Sequence, residues 1–211
     1  MRRKAMMAEL DEQAILRMIN QRTAEIGMPS SKAKKYSGAV TVGVIAEALG
    51  KCGVRCSRQD VYIKTLAIEF DLVVPRPGSA PKYGILYEPE DVLAVLEVKK
   101  LGSFGQPTID KVRNDFRAVR QANPRATCAY VTVTEGKRYR YKVTAENVEA
   151  NAYTLVWTTG SGTKRVYEPT GDWAKLVADL HRLLQRPSLR SRGQGRSRQT
   201  KAASSRRTPT G

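Results

Sequence analysis

Apolar residues recur every three or four positions in four segments of the chain, which predicts four helices. In the first segment, Leu10, Ala14 and Met18 share one helical face. Each segment carries an apolar stripe of this kind, so we expect every helix to pack one face on a core. The predicted helices cover residues 8–26, 39–49, 107–122 and 172–185.

Runs of β-branched and other apolar residues, bounded by proline or glycine, predict strands between these helices. The run from Asp91 to Lys99 is apolar on both faces until its C-terminal tip, which is typical of the centre of a covered sheet. Strands are expected at residues 66–75, 91–99 and 126–134, with weaker candidates at 139–143, 153–158 and 164–167. The order helix, strand, strand, helix, strand over residues 39–134 predicts an α/β fold.

Two of the predicted strands end in acidic residues, and side-chain alternation decides which residues share a face. Positions i and i+2 of a strand point the same way, so Glu97 lies with Lys99 and Glu69 lies with Asp71. If the two strands are neighbours, one corner of the sheet holds Asp71, Glu97 and Lys99, with Glu69 one step along. Two carboxylates about 4 Å apart repel by roughly 4 kcal/mol at an effective dielectric of about 20, so a positive charge must offset them.

A divalent metal ion or the lysine can supply this positive charge, and a phosphodiesterase would use both. Mg²⁺ prefers carboxylate, carbonyl and water oxygens, which the Asp71 and Glu97 side chains and the Val98 carbonyl can provide. The metal would activate water and stabilise charge on the scissile phosphate, while Lys99 would orient the water or offset the phosphate charge. The structural alternative is that Lys99 ends the strand in water and simply pairs with Asp71.

Asp71, followed by Glu97-Val98-Lys99 at the end of a buried strand, resembles the PD-(D/E)xK superfamily of restriction-endonuclease-like nucleases. The resemblance covers about residues 38–134, and Phe70 stands where the superfamily's name has proline. It implies a central mixed β-sheet flanked by helices with the core order αβββαβ, here with further N- and C-terminal helices. It also implies DNA hydrolysis that depends on Mg²⁺, for which Mn²⁺ can substitute, and a helix glutamate before the first strand. Glu47 is the candidate for that glutamate.

The charge balance of the chain indicates a polyanionic partner. The 211 residues contain 37 Lys and Arg against 20 Asp and Glu, a formal net charge of +17. Eight of the basic residues lie in 186–211, where no acidic residue occurs, which leaves +9 on residues 1–185. A basic body commonly neutralises phosphates, so nucleic acid is the expected partner and double-stranded DNA the first choice. The alternative is an ordinary solvated basic surface.

Six basic residues are candidates for contacting nucleic acid. Those in the helix that follows Lys99 can line a phosphate track, although a solvated outer face explains half of them equally well. Those in residues 137–142 alternate with tyrosines, as in a nucleic-acid-facing ribbon or in an edge strand over a core. The candidates are Lys100, Lys111, Arg113, Arg117, Arg138 and Arg140.

The composition argues against several other classes of protein. No stretch approaches 18 consecutive apolar residues, and the basic N-terminus lacks the apolar segment of a secretory signal, so we expect a cytoplasmic protein. His181 is the sole histidine, which removes most histidine-based chemistry, and the three cysteines do not have zinc-site spacing. We expect one nuclease-like domain over residues 1–185 and a disordered basic tail over residues 186–211.

The sequence therefore favours a Mg²⁺-dependent DNA endonuclease, of a restriction, phage or mobile-element system. Two other functions stay open, namely a non-catalytic DNA- or RNA-binding module with a nuclease-like fold and an RNA-associated structural protein that binds through its tail. An acidic corner repels phosphate unless a metal is bound, which favours the enzyme. A homodimer is a further open possibility.

Overall fold

The computed structural model describes residues 10–27, 30–101, 105–136, 143–160 and 162–186 of the chain. Its first helix begins where the Asp11 side chain accepts a hydrogen bond from the Ala14 amide at 2.6 Å, which satisfies one of the free amides at the helix start. The helices are α1 (Glu12–Glu25), α2 (Ser30–Lys51), α3 (Gln106–Ala122), α4 (Ala145–Val148) and α5 (Asp172–Leu184).

Helix α2 is longer than its apolar pattern predicts. It begins at Ser30, whereas the apolar pattern begins at residue 39. The reason is that residues 30–38 contain alanine, lysine and serine but no proline, so the backbone can continue as a helix without an apolar stripe.

The strands of the described residues form one mixed sheet between the helices. They are β1 (Ser57–Ile63), β2 (Glu69–Pro75), β3 (Leu86–Tyr87), β4 (Val92–Leu101), β5 (Thr127–Gly136), β6 (Asn151–Thr159) and β7 (Val166–Pro169). The order across the sheet is β3-β1-β2-β4-β5-β6-β7. β4, β5 and β6 run parallel to one another, β1 is parallel to β3, and the remaining neighbours are antiparallel. The predicted α/β class, with a central mixed sheet flanked by helices, is confirmed.

The sheet separates two apolar cores, and this separation decides which helix covers the acidic corner. Leu96 and Val98 of β4 belong to the core formed with α1, α2 and α5. Val95 belongs to the other core, which α3 covers with its apolar stripe. Glu97 and Lys99 alternate with Leu96 and Val98, so they lie on the α3 side of the sheet.

The weaker strand predictions have different outcomes. Residues 153–158 lie within β6, and residues 164–167 overlap the start of β7. Of the candidate at 139–143, residues 139–142 lie outside the described residues, as do residues 187–211 of the predicted tail. In the described part of the chain, no helix is both long enough and apolar enough to cross a membrane.

Candidate active site

The antiparallel pairing of β2 with β4 brings the two predicted carboxylates together. Leu72 lies opposite Leu96, so Asp71 lies opposite Glu97 one position further along the ladder. Both residues sit toward the open end of the strand pair, on the face that α3 covers. Lys99 follows two positions after Glu97 on the same face. The corner predicted from side-chain alternation is therefore present in the structure.

One ammonium group joins the two carboxylates. The Lys99 Nζ lies 3.2 Å from Asp71 Oδ2 and also forms an ion pair with Glu97 Oε1. The Val98 amide donates a second hydrogen bond to Asp71 Oδ2 at 2.8 Å, which fixes the orientation of this carboxylate. The exposed side-chain fractions of Asp71, Glu97 and Lys99 are 27%, 21% and 27%. Asp71 and Glu97 thus converge on a single cation in a mostly buried setting, and the three charges sum to −1.

The pKa shifts follow from this arrangement. Burial raises the pKa of Glu97 above its ordinary value, and the nearby Asp71 carboxylate adds to the increase, while Lys99 acts in the opposite direction. Burial alone would lower the pKa of Lys99, but the two carboxylates outweigh it and the pKa of Lys99 is raised. The lysine therefore stays charged, and the surplus negative charge falls on the carboxylates.

A cleft of about 370 Å³ opens onto Asp71 and Glu97. Its far wall is α3, where Lys111 and Asp115 form an ion pair of 2.7 Å one helical turn apart. The positive charge of Lys111 also acts on Glu97 and lowers its pKa in part. The cleft is lined by Ala67, Ile68, Glu69, Phe70, Asp71, Glu97, Lys111 and Asp115. A cleft of this size can admit water and a phosphate group at the carboxylate pair.

The donor set at this corner fits a magnesium ion. Mg²⁺ usually keeps several waters and is held by one or two carboxylates, so Asp71 and Glu97 are sufficient protein side-chain ligands. Within the described ranges, no cluster of three or more Asp, Glu, His or Cys side chains is arranged as a metal cage. The carboxylates already converge on one cation, Lys99, so a divalent ion would find its oxygen ligands in place. The Val98 carbonyl as a third ligand stays a prediction.

The structure does not bring Glu47 to the cluster. Its carboxylate pairs with Arg22 at 2.8 Å and with Lys51 at 3.0 Å, and these two partners lower its pKa. It lies on α2, which packs against the sheet face that carries Leu72 and Leu96, opposite the face of the acidic corner. The geometry therefore gives Glu47 a surface ion-pair role, and nothing in it supports the catalytic role implied by the resemblance.

Of the candidate nucleic-acid contacts, the structure places Lys111 at the cleft and places Lys100 on the other side of the sheet. Lys111 stands at the cleft, with 73% of its side chain exposed. Lys100 alternates with Lys99 and so points to the opposite side of the sheet, where burial lowers its pKa. Arg113 pairs with Asp110 at 2.6 Å. Arg138 and Arg140 lie outside the described residues.

Arg117, a candidate for the predicted phosphate track, is ion-paired with protein in this structure. Its Nε donates a hydrogen bond of 2.8 Å to Glu149, and a second nitrogen of the same guanidinium pairs with the other carboxylate oxygen. Arg120 donates to the Glu149 backbone carbonyl at 2.8 Å. These contacts tie α3 to the residue that follows α4, and a role for Arg117 in binding nucleic acid stays a prediction.

Two residues of the site were missed by the sequence reasoning. Asp115 lines the cleft, and its spacing of four residues from Lys111 on a predicted helix is a signal that could have identified the pair. Tyr130 of β5 is the strand partner of Glu97. Its position depends on the register of two strands separated by a helix, which the sequence pattern does not give.

Comparison with known proteins supports the fold but does not identify site residues. No protein-family model and no curated protein matches the chain. A solved structure, NucC of P. aeruginosa ATCC27853 in its cAAA-bound form, is similar with a TM-score of 0.53 and 12% sequence identity. The similarity covers 81% of this chain and 89% of NucC. At this identity the similarity concerns the fold alone, and it shows that the chain shares the fold of NucC.

Proposed function

We propose that the protein is a metal-dependent nuclease that hydrolyses phosphodiester bonds of double-stranded DNA at Asp71, Glu97 and Lys99. The observation that carries the proposal is the convergence of the Asp71 and Glu97 carboxylates on one cation at the edge of a cleft. A corner that serves only as a salt bridge would not need a second buried carboxylate. The surplus negative charge needs a further cation, and a divalent metal ion supplies it.

The fold and the charge of the chain agree with this function. The similar structure, NucC, is a PD-(D/E)xK-like nuclease, and the placement of Asp71 and Glu97 on paired antiparallel strands resembles the motif of that superfamily. The net charge of +17 provides the electrostatic attraction that brings a polyanion to an acidic site. The restriction, phage or mobile-element setting, the cytoplasmic location and the homodimer belong to the same proposal.

Each residue of the corner has a distinct role in the proposed reaction. Asp71 and Glu97, with the Val98 carbonyl, would hold Mg²⁺ or Mn²⁺. A bound metal would supply Lewis-acid stabilisation of the phosphate charge and an activated water. The Val98 amide orients the Asp71 carboxylate. Lys99 would donate to the attacking water or to a phosphate oxygen. Lys111 is placed at the cleft to contact a neighbouring phosphate.

The test is DNA cleavage by the full chain in Mg²⁺, in Mn²⁺ and in excess chelator, on supercoiled and linear duplex. We expect cleavage that requires the metal and is abolished in Glu97→Gln. Glu88→Gln is the matched control, because Glu88 is a carboxylate of the same type that is ion-paired outside the cleft. If the wild type binds DNA but does not cut with either metal, the non-catalytic binding module replaces the nuclease.

A further inference from the structure

Tyr130 places a buried hydroxyl group beside the carboxylate cluster. The parallel register of β4 and β5 pairs Glu97 with Tyr130, so the two side chains lie on the same face of the sheet. The residue is 2% exposed. Among the residues that the structure describes, its hydroxyl has no hydrogen-bond partner. The negative charges of Glu97, Asp71 and Glu135 are near enough to this hydroxyl to raise its pKa.

The Tyr130 hydroxyl can donate a hydrogen bond, but no acceptor is bonded to it among the described residues. Burial raises the pKa of Tyr130 above its usual range, and the neighbouring carboxylates raise it further, so the group keeps its proton at neutral pH. A buried hydroxyl without a partner is destabilising, and such groups are rare in folded proteins. The ring packs in the apolar core on the α3 side, where a phenylalanine would fill the same volume without this penalty. Packing alone therefore does not account for the oxygen.

We propose that Tyr130 is a positioning residue for Glu97, and that its hydroxyl donates a hydrogen bond to the Glu97 carboxylate when this carboxylate binds a divalent cation. The inference rests on the proposed nuclease function. Without a metal, Glu97 takes its positive partner from Lys99. If a metal took the place of the ammonium, Glu97 would exchange its contact with Lys99 for one with the metal. A carboxylate that binds a metal is commonly held by a hydrogen bond from a neighbouring side chain, and Tyr130 is placed to supply it.

Glu135 is the rival acceptor for this hydroxyl. Its negative charge also acts on Tyr130, and it is buried near the end of the same strand. Glu135 already accepts a hydrogen bond of 2.9 Å from the Thr154 hydroxyl. Glu97, by contrast, lies directly beside Tyr130 in the ladder and belongs to the cleft. A bond to Glu135 would be structural and independent of metal, so the two acceptors predict different results.

The test compares Tyr130→Phe with Tyr87→Phe in the full chain. Tyr87 is equally buried, at 2% exposure, but its hydroxyl is hydrogen-bonded to the Ser57 hydroxyl at 2.7 Å, away from the cleft. The two readouts are thermal unfolding in chelator and Mn²⁺ affinity by calorimetry. We expect Tyr130→Phe to unfold at the same temperature as the wild type or higher, and to bind Mn²⁺ about tenfold more weakly. Tyr87→Phe should unfold at a lower temperature and keep the wild-type Mn²⁺ affinity.

Two results would overturn the inference and leave the nuclease proposal intact. The first is that Tyr130→Phe binds Mn²⁺ as the wild type does while Glu97→Gln loses it. The second is that Tyr130→Phe unfolds at a lower temperature in chelator with unchanged Mn²⁺ affinity, which assigns the hydroxyl to a structural bond such as that to Glu135. If the wild type binds no Mn²⁺, the metal site itself is absent and both proposals are wrong.

Discussion

Two of the three-charge clusters among the described residues have opposite composition. At the acidic corner one lysine, Lys99, lies between two carboxylates. Before β4 one carboxylate, Glu88, lies between two lysines, with Lys64 Nζ at 3.0 Å and Lys82 Nζ at 2.8 Å from the same oxygen. The side chains of Lys64 and Lys82 are 52% and 62% exposed, whereas that of Lys99 is 27% exposed. Ion-pair geometry is similar in the two clusters, but the exposure of their lysines and the sign of the surplus charge are not.

This difference separates the candidate site from a surface cluster. The two lysines lower the pKa of Glu88, because every neighbour stabilises its charged form and water solvates the surplus positive charge. The pKa of Glu97 is raised, because burial and a like charge oppose its ionisation. A carboxylate that is held ionised against these effects indicates a site for a cation or a proton. A count of ion pairs alone does not distinguish the two clusters, because each contains two.

The largest expected difference between the two clusters is in the rate of DNA cleavage, which the Lys99→Ala variant should lower. We expect the cleavage rate to fall about 100-fold or more, since the variant loses a positive group at the reacting phosphate. DNA affinity should stay near that of the wild type, because the basic body supplies most of the attraction. Single-turnover cleavage and equilibrium binding measure the two quantities.

Lys82→Ala is the matched control for this variant, because it removes one lysine from the surface cluster. Its cleavage rate and its DNA affinity should both equal those of the wild type. A Lys99→Ala protein that cuts DNA at the wild-type rate would reduce Lys99 to a structural ion pair, in which case the acidic corner would resemble the Glu88 cluster after all.

The second largest expected effect is on the stability of Lys99→Ala, which should depend on whether a divalent metal ion is present. In chelator, Lys99→Ala leaves Asp71 and Glu97 facing each other without a cation, so the free energy of unfolding should fall by about 3 kcal/mol, the lower limit for breaking a buried pair. Mn²⁺ should then raise the unfolding temperature of Lys99→Ala more than that of the wild type, because the ion replaces the missing charge. Differential scanning fluorimetry with and without Mn²⁺ would measure this. An equal Mn²⁺ shift in Lys99→Ala and in Asp71→Asn would contradict it.

The sequence predicted the parts of the site that depend on local patterns, and missed those that depend on contacts between residues far apart in the chain. Asp71, Glu97 and Lys99 were predicted together because alternation along a strand is local and the strands were apolar enough to identify. Glu47 was carried over from a resemblance, but which sheet face a helix covers depends on tertiary packing that no local pattern reports. The partner of Arg117, 32 residues away in the sequence, could not be predicted for the same reason.

The fold shows the same division between local and long-range information. The main helices and the three main strands follow from apolar periodicity, since the core must be covered in that pattern. β1 was missed, because its sequence Ser-Arg-Gln-Asp-Val-Tyr-Ile is polar for four of seven residues and lacks a clear alternation. It forms because β2 offers an antiparallel partner, with a register irregularity between Arg58 and Val61. Such a strand is stabilised by its neighbour more than by its own sequence.

The smallest expected effect is on the pH dependence of stability, and it has opposite signs in the two clusters. The pKa of Glu97 in the folded state lies above its ordinary value of 4.5. The stability associated with this group is therefore present below pH 4.5 and lost as the pH rises through the folded-state pKa. The pKa of Glu88 lies below 4.5, so its contribution is present above pH 4.5 and lost as the pH falls through the folded-state pKa.

Glu97→Gln and Glu88→Gln should therefore shift the unfolding temperature in opposite directions. At pH 7 in chelator, Glu97→Gln should unfold about 2 to 4 °C above the wild type, because Asp71 and Lys99 are left as a balanced pair. Glu88→Gln should unfold below the wild type by a smaller amount, since it loses two surface ion pairs. The Glu97→Gln difference should shrink as the pH falls below the raised folded-state pKa of Glu97, whereas the Glu88→Gln difference should persist to lower pH, because the pKa of Glu88 is lowered. If both variants shift in the same direction at pH 7, burial at the acidic corner does not oppose the charge of Glu97, and the contrast between the two clusters is lost.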